Sequence, residues 1–274
     1  MISSYKIKKE CTLRNFLESH HLSKQYISKL IFLNAISNSN KYLKEQDVLL
    51  QGEEIYINYS LLEENNVVGF DYDIDVIYED NEIIAVEKPR GMLVHSDGID
   101  NCTMLNAVSS YLYNKGDDSC VRCLHRIDYD TTGILLFSKN ILAYSLINYQ
   151  IENLLILKEY IALVEGKVLE NGYVDMPIGK DRHNSKKSIA IKSGKPAFTQ
   201  YEVIESYKNT TLLKVNITTG RTHQIRVHMA YIGHPIVGDS LYGKGGKLML
   251  HFNKVQFMLF GQKMIITSKK KVGE

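Results

Sequence analysis

The chain has 274 residues, 44% hydrophobic and 23% charged, with a formal net charge of +2. This composition excludes a disordered or fibrous chain and suits one large domain or two modest ones. No run approaches the ~18 consecutive apolar residues of a membrane span, and the opening MISSYKIKKE has no apolar signal core, so a cytoplasmic protein is expected.

Charge is unevenly spread. Lys and Arg number 8 against 6 acidic residues over 1–60, 2 against 11 over 61–100, and 23 against 14 from 101 onward. That segregation suits a basic face for a polyanion as well as it suits an uneven surface. Four cysteines make no disulfide framework in a chain this long. Cys120 and Cys123 form a C-x-x-C, but no second pair or histidine motif completes a four-ligand site, so no metal is expected.

In chain order, Thr12 caps a helix with Leu13, Phe16 and Leu17 on one face. Ser23 caps a second with Ile27, Leu30 and Ile31, and Gly52 turns the chain into an alternating strand over 54–59. Residues 1–60 therefore read as a small unit and 61–73 as an acidic linker. Residues 74–274 read as one α+β domain. Within it the pattern predicts strands over 75–78, 83–86 and 93–95. A helix follows behind a Thr103 cap, carrying Met104, Leu105, Val108, Tyr111 and Leu112. Strands over 134–137 and 160–164 enclose a helix near 140–153, and Leu213, Val215 and Ile217 alternate with polar residues.

The stretch CLHRIDYDTTGILLFSKN (123–140) sets four ionisable side chains, His125, Arg126, Asp128 and Asp130, before an apolar strand. Asp128 to Thr132 fits the D-x-D-x-T of phosphohydrolases, but Arg122, His125 and Arg126 spoil the buried strand that should precede it. Gly238 to Lys244 fits G-x-x-x-x-G-K, but position 245 is Gly, so a magnesium-binding hydroxyl is missing, and His234-Pro235 interrupts the feeding strand.

Ordered blocks account for these pieces together. HRIDYDTTGILLFSK resembles the H-R-L-D-x-x-T-S-G-L-L-L signature of RluA-type pseudouridine synthases, with Ile127 and Thr132 in place of Leu and Ser. VIYEDNEIIAVEKPRGMLVHSD (76–97), KEYIALVEGKV (158–168), VDMPIGKD (174–181), GKPAFTQYEV (194–203) and TTGRTHQIRVHMAYIGHPIVGDSLYG (218–243) are similar to further family blocks. Residues 1–60, with LLQGEEIYI near their end, resemble an S4-like RNA-binding domain, although AISNSN replaces its usual V-x-V-N-G. A helical cap packed on the larger domain is the other reading of that segment.

The resemblance implies a mixed, largely antiparallel sheet with flanking helices, and an isomerase that needs no cofactor. It implies Asp128 as nucleophile, Arg226 as its counter-charge and Tyr160 as the aromatic residue against the flipped uracil. Arg126, Arg221 and His125 would contact RNA or organise the loop, and Arg14, Lys24 and Lys29 would bind RNA from the first unit. Covalent addition and removal of the C2′ proton both remain open to Asp128. Without the resemblance, Arg226 reads as a solvated helix residue opposite Ile225, Met229 and Ile232. The expected partner is structured RNA, ribosomal or transfer, and the expected state a monomer. The alternative is an RNA-binding protein with an inactive synthase domain.

Overall fold

A computed structural model describes residues 1–62, 67–96, 98 and 101–273. Its centre is a ten-stranded sheet. In spatial order the strands are Gly172–Asp175, Phe198–Ser206, Thr210–Ile217, Leu157–Glu165, Leu250–Leu259, Thr132–Ser138, Ile83–Lys88 and Asp75–Glu79. Gln262–Thr267 and Arg122–Cys123 pair at the side. Neighbours run antiparallel at all but one junction. There Thr132 and Gly133 pair in parallel with His251 and Phe252. The sheet is thus mixed and largely antiparallel, as the resemblance implies.

That junction is tight. Gly133 has φ +112°, and a Cβ on it would lie 2.4 Å from the Phe252 carbonyl oxygen. Only glycine permits both the left-handed backbone and the approach. The chain entering this seam is the charged turn, so the seam fixes where that turn ends.

Helices form where the caps predict them. Thr12 accepts from the Asn15 amide ahead of α1 (Leu13–Ser19), and Ser23 from Tyr26 ahead of α2 (Lys24–Phe32). Thr103 opens α3 (Met104–Asn114), and Asn140 opens α4 (Ile141–Glu152). The strand predicted over 93–95 is not one. Leu93 and Val94 instead give their carbonyls to the amides of Met104 and Leu105, satisfying donors that the first turn of α3 leaves free. One short bridge, Leu93 to Thr103, is what remains of the expected pairing.

The first 62 residues form a three-stranded sheet of Ile2–Lys6, Glu54–Asn58 and Ile36–Ser37 against α1 and α2. Pairing with 54–58 orders the opening residues, a strand the sequence reading passes over. The core of this unit, including Leu13, Leu17, Ile27, Leu30 and Ile55, is continuous with Ile141 and Leu142 of α4. Polar contacts reinforce the join. Tyr5 donates to Glu82 at 3.0 Å, Lys8 to the Phe260 carbonyl at 2.7 Å, and His21 stacks on Tyr149 at 3.5 Å. No helix among the described residues is long and apolar enough to cross a membrane.

A chain beginning at Val67 would uncover Ile141 and Leu142, at about 1.5–3 kcal/mol for each side chain. Thermal unfolding of that truncation should occur several degrees below the full chain, with self-association visible by light scattering. Equal melting temperatures and a monodisperse truncation would show that the two units are energetically independent.

Candidate active site

The charged turn is held by its backbone. Lys88, 1% exposed, donates to the carbonyls of Pro89 at 2.8 Å, Tyr129 at 2.8 Å and Thr131 at 3.0 Å. Burial lowers the Lys88 pKa to about 8, although Asp130 and Asp128 pull it the other way. The Asp128 carbonyl accepts from the Thr131 amide at 3.1 Å and closes the turn. On the other side, Leu124 donates to the Leu136 carbonyl, and the Leu136 amide donates to His125 Nε2 at 3.2 Å. An imidazole nitrogen that accepts from an amide is unprotonated, so His125 is neutral. Burial, and to a lesser degree Lys158, push its pKa down to about 3. His125 therefore organises the loop and is not built to donate a proton.

Asp128 emerges from this turn with a quarter of its side chain exposed, its Oδ2 3.1 Å from Arg226 Nη1. Arg226 lies on α5 (Gln224–Tyr231), whose residues 224–229 are all buried. The solvated face read from periodicity is absent, because the helix is clamped from several sides. Gln224 donates to the Phe198 carbonyl at 2.9 Å and to Thr199 at 3.1 Å. His228 meets Thr199 and the Met176 carbonyl, each at 2.8 Å.

The other side of Arg226 is taken by Asp239, which sequence reading missed. Arg226 Nε and Nη2 donate to its two carboxylate oxygens at 2.7 and 2.9 Å. Asp239 is fully buried and also accepts from the amides of Leu241 and Tyr242. Burial works to raise the Asp239 pKa, but the hydrogen bonds and charge of Arg226 and those two amides outweigh it and hold the carboxyl low. Burial likewise disfavours the Arg226 charge, and Asp239, with Asp128 adding, reverses the balance and raises its pKa. The residue stands in the sequence as the Asp of GDSLYG, inside both the failed phosphate loop and the 218–243 block, where neither pattern alone gives it a role.

Tyr160 is 7% exposed and stacks on Phe252, ring centres 4.4 Å apart and planes within 8°. Burial, with Asp128 adding, raises its pKa well above the ordinary phenol value, so the hydroxyl keeps its proton. His223, at φ 57°, precedes α5 with Nδ1 2.9 Å from the Tyr242 hydroxyl and Nε2 3.9 Å from Asp128. Burial lowers its pKa, partly opposed by Asp128.

His125, Arg126, Asp128, Tyr160, Arg221 and Arg226 line one cleft of about 730 Å³, together with His223 and Lys158. Arg126 is exposed at its rim, and Arg221 donates to the Pro196 carbonyl at 2.9 Å. Arg14, Lys24 and Lys29 lie on the first unit, outside the cleft. Arg14 is paired with Glu18 at 2.9 Å and Glu45 at 3.1 Å, and Lys29 donates to the Leu62 carbonyl at 2.7 Å. Lys24 is exposed and makes no ion pair among the described residues. Cys123 donates its thiol to the His125 carbonyl at 2.8 Å, and burial pushes that thiol up to about 12.

A carboxylate–arginine–carboxylate chain thus runs from the buried Asp239 to Asp128 in a cleft walled by a stacked tyrosine, whose flat face suits a planar ring. Comparison with known proteins agrees. Residues 82–231 match the family model described as RNA pseudouridylate synthase. An uncharacterized RNA pseudouridine synthase of Bacillus subtilis (strain 168), YhcT, is 35% identical over 217 residues, covering 76% of this chain and 72% of that protein. Ribosomal large subunit pseudouridine synthase D of Escherichia coli (strain K12) is 39% identical over 203 residues, which are 73% of this chain but 62% of that relative's length. The structure of human RNA pseudouridylate synthase domain containing 1 superposes with a TM-score of 0.63 at 21% identity. It covers 72% of this chain and 84% of that one, a likeness of fold. The chain belongs to the RNA pseudouridylate synthase family.

The neutral state of His125 has a pH signature. Its folded pKa, about 3, lies below the ordinary value of about 6.5, so the unfolded chain takes up the proton first. The contribution to stability is complete above pH ~6.5 and is lost at about 1.4 kcal/mol per unit as pH falls toward 3. Urea unfolding at pH 7, 6 and 5 should show His125→Gln losing less stability over this range than wild type, by roughly 2 kcal/mol at pH 5. Parallel pH curves for the two proteins would mean that His125 takes up its proton as readily in the folded state as in the unfolded chain.

Proposed function

We propose that the chain isomerises uridine to pseudouridine in structured RNA, with large-subunit ribosomal RNA the first substrate to test and transfer RNA the second. Asp128 is the nucleophile, Arg226 its counter-charge, and Tyr160 the surface against which the base turns. The observation that carries this reading is the chain Asp239–Arg226–Asp128, which presents one carboxylate to the cleft and buries the other. The ribosomal substrate is suggested by the names of relatives that this chain matches over only part of their length.

The reaction breaks the C1′–N1 bond, turns the base, joins C5 to C1′, and moves the C5 proton to solvent while N1 regains one. Asp128 acts by adding to the sugar or ring, or by taking the C2′ proton. Arg226 sets a fixed positive charge against it in either route, and Asp239 prevents that guanidinium from swinging away. Tyr160, with its high pKa, serves as a neutral surface or hydrogen-bond donor and not as a base. The cleft receives a nucleotide only when it is flipped from its stack, at a cost of a few kcal/mol. Arg126 at the rim and Arg221 beside it are placed to offset that cost through phosphate contacts.

Residues 1–60 belong to the same reading as an S4-like unit that adds RNA affinity, followed by a linker over 61–73 and a catalytic domain over 74–274. With Arg14 and Lys29 already engaged, Lys24 is the cation of the three best placed for phosphate. The protein acts as a cytoplasmic monomer. An inactive RNA binder fits less well, since binding alone gives no reason to bury Asp239 behind Arg226.

Mapping pseudouridines in total RNA from a strain lacking this gene, against its parent, identifies the target; identical maps would remove the proposal. On that target, Asp128→Asn should lower the saturated rate by at least about 10³-fold with RNA affinity nearly unchanged. A tenth of the wild-type rate in that variant would rule out a nucleophile. Arg226→Met should cost more rate at saturating RNA than Arg126→Met, whose loss should fall on affinity. Equal losses of saturated rate would break the pairing of Arg226 with Asp128.

A further inference from the structure

Three lysines of this chain are more than nine-tenths buried, and two are fully occupied. Lys88 donates to three carbonyls, and Lys139 meets Asp117 at 2.7 Å, the Asp80 carbonyl at 3.0 Å and Glu79 at 3.5 Å. The third, Lys158, is 8% exposed and makes no hydrogen bond or ion pair among the described residues. Its pKa is lowered by burial, with no carboxylate opposing the shift. The imidazole that feels its charge, His125, is neutral. An ammonium withdrawn from water without a partner destabilises a fold. Met would fill the same volume without that cost.

Its position explains why a charge would be kept. Lys158 and Tyr160 are alternate residues of the Leu157–Glu165 strand, both on its buried face and both lining the cleft. Alternate residues stand about 6.6 Å apart along a strand, comparable with the width of a pyrimidine. The ammonium lies against Gly220, where an added Cβ would sit 3.6 Å from Nζ. One wall of the cleft, apart from the Asp128–Arg226 pair, therefore carries Tyr160 and, further along, Lys158 without a polar partner among the described residues.

We infer that Lys158 is a further catalytic residue, which holds a carbonyl oxygen of the uracil and stabilises the negative charge the ring carries while detached from the sugar. This rests on the proposed isomerase activity. When C1′–N1 breaks heterolytically, its electron pair goes to the base and spreads onto O2 and O4. When C5 bonds to C1′, that charge is consumed, the C5 proton leaves and N1 is protonated. A preorganised cation in a partly dry cleft favours this state over neutral bound uridine. Its own desolvation is offset only when the charge appears.

The test is Lys158→Met in the full-length protein, on the RNA the wild type modifies. Single-turnover rates at saturating RNA should fall by about 10²–10³-fold, RNA Kd should change less than about twofold, and the melting temperature should rise. With 5-fluorouridine at the target, whose base carries negative charge more readily but has no C5 proton to lose, the single-turnover consumption of the nucleotide is followed instead of pseudouridine formation, and the deficit should narrow markedly. Four results would overturn the inference. The rate could stay within about threefold of wild type. The affinity could weaken and the salt dependence shrink by about one counterion at an unchanged saturated rate, which marks a phosphate contact. The melting temperature could fall, which marks a structural lysine, or the deficit could be the same with both bases. A wild type inactive on every RNA would instead remove the isomerase reading itself.

Discussion

Arg226 is shared by two carboxylates, and the two bonds do different work. The bidentate pair with Asp239 is fully enclosed and geometrically complete, so it fixes the guanidinium plane. The single contact to Asp128 uses what is left, one Nη1 hydrogen directed at a partly exposed oxygen. A lone arginine facing a cleft would sample many rotamers, and its charge would be averaged over them. Anchored by Asp239, it presents the same charge at the same place before substrate arrives. Breaking such a buried pair by removing one partner costs about 3–5 kcal/mol, enough to make the site inseparable from the packing of α5.

The opposite partner must be equally fixed, and the sheet supplies that. The strand that follows the turn bearing Asp128 is held on one edge by the antiparallel Ile83–Lys88 strand and on the other by Arg122–Cys123 and the parallel contact of Gly133 with Phe252. Lys88 fills the space beneath with an ammonium bonded to three carbonyls, so the turn has little freedom to relax. Phe252 also carries Tyr160 on its ring. One residue of the Leu250–Leu259 strand thus sets the closest approach of the loop and the position of the aromatic wall. The two halves of the sheet meet where the chemistry is proposed.

Much of this was legible in the sequence. Helix caps at Thr12, Ser23 and Thr103 marked true helix starts, because a cap is a local hydrogen bond between near neighbours. The apolar run after Asp128 marked a buried strand for a similar reason. What failed depended on partners far along the chain. Leu93 and Val94 look like a strand, yet their carbonyls serve α3. Ile2–Lys6 looks unremarkable until Glu54–Asn58 is set beside it. By periodicity alone Arg226 reads as solvated, because that pattern reports one apolar stripe, whereas α5 is enclosed by polar clamps from Thr199, Met176 and Asp239; the resemblance, not the period, sets it beside Asp128. Asp239 itself carries no periodic signal, and only its distance to Arg226 reveals it.

The electrostatics of the cleft follow from the same enclosure. His125 and His223 have lowered pKa values and Tyr160 a raised one, in each case with burial as the largest cause. Enclosure therefore favours the neutral form of these three side chains, while the carboxylates of Asp239 and Asp128 favour the charged form of Arg226. In the proposed reaction the carboxylate–arginine pair serves the sugar and Lys158 serves a base that becomes an anion. A fold built only for binding RNA would place its cations on the rim, where phosphates lie and water still solvates them. On the proposed reading, a cation buried beyond Tyr160 faces a charge that no ground-state uridine carries, which is the behaviour expected of a group acting on the transition state.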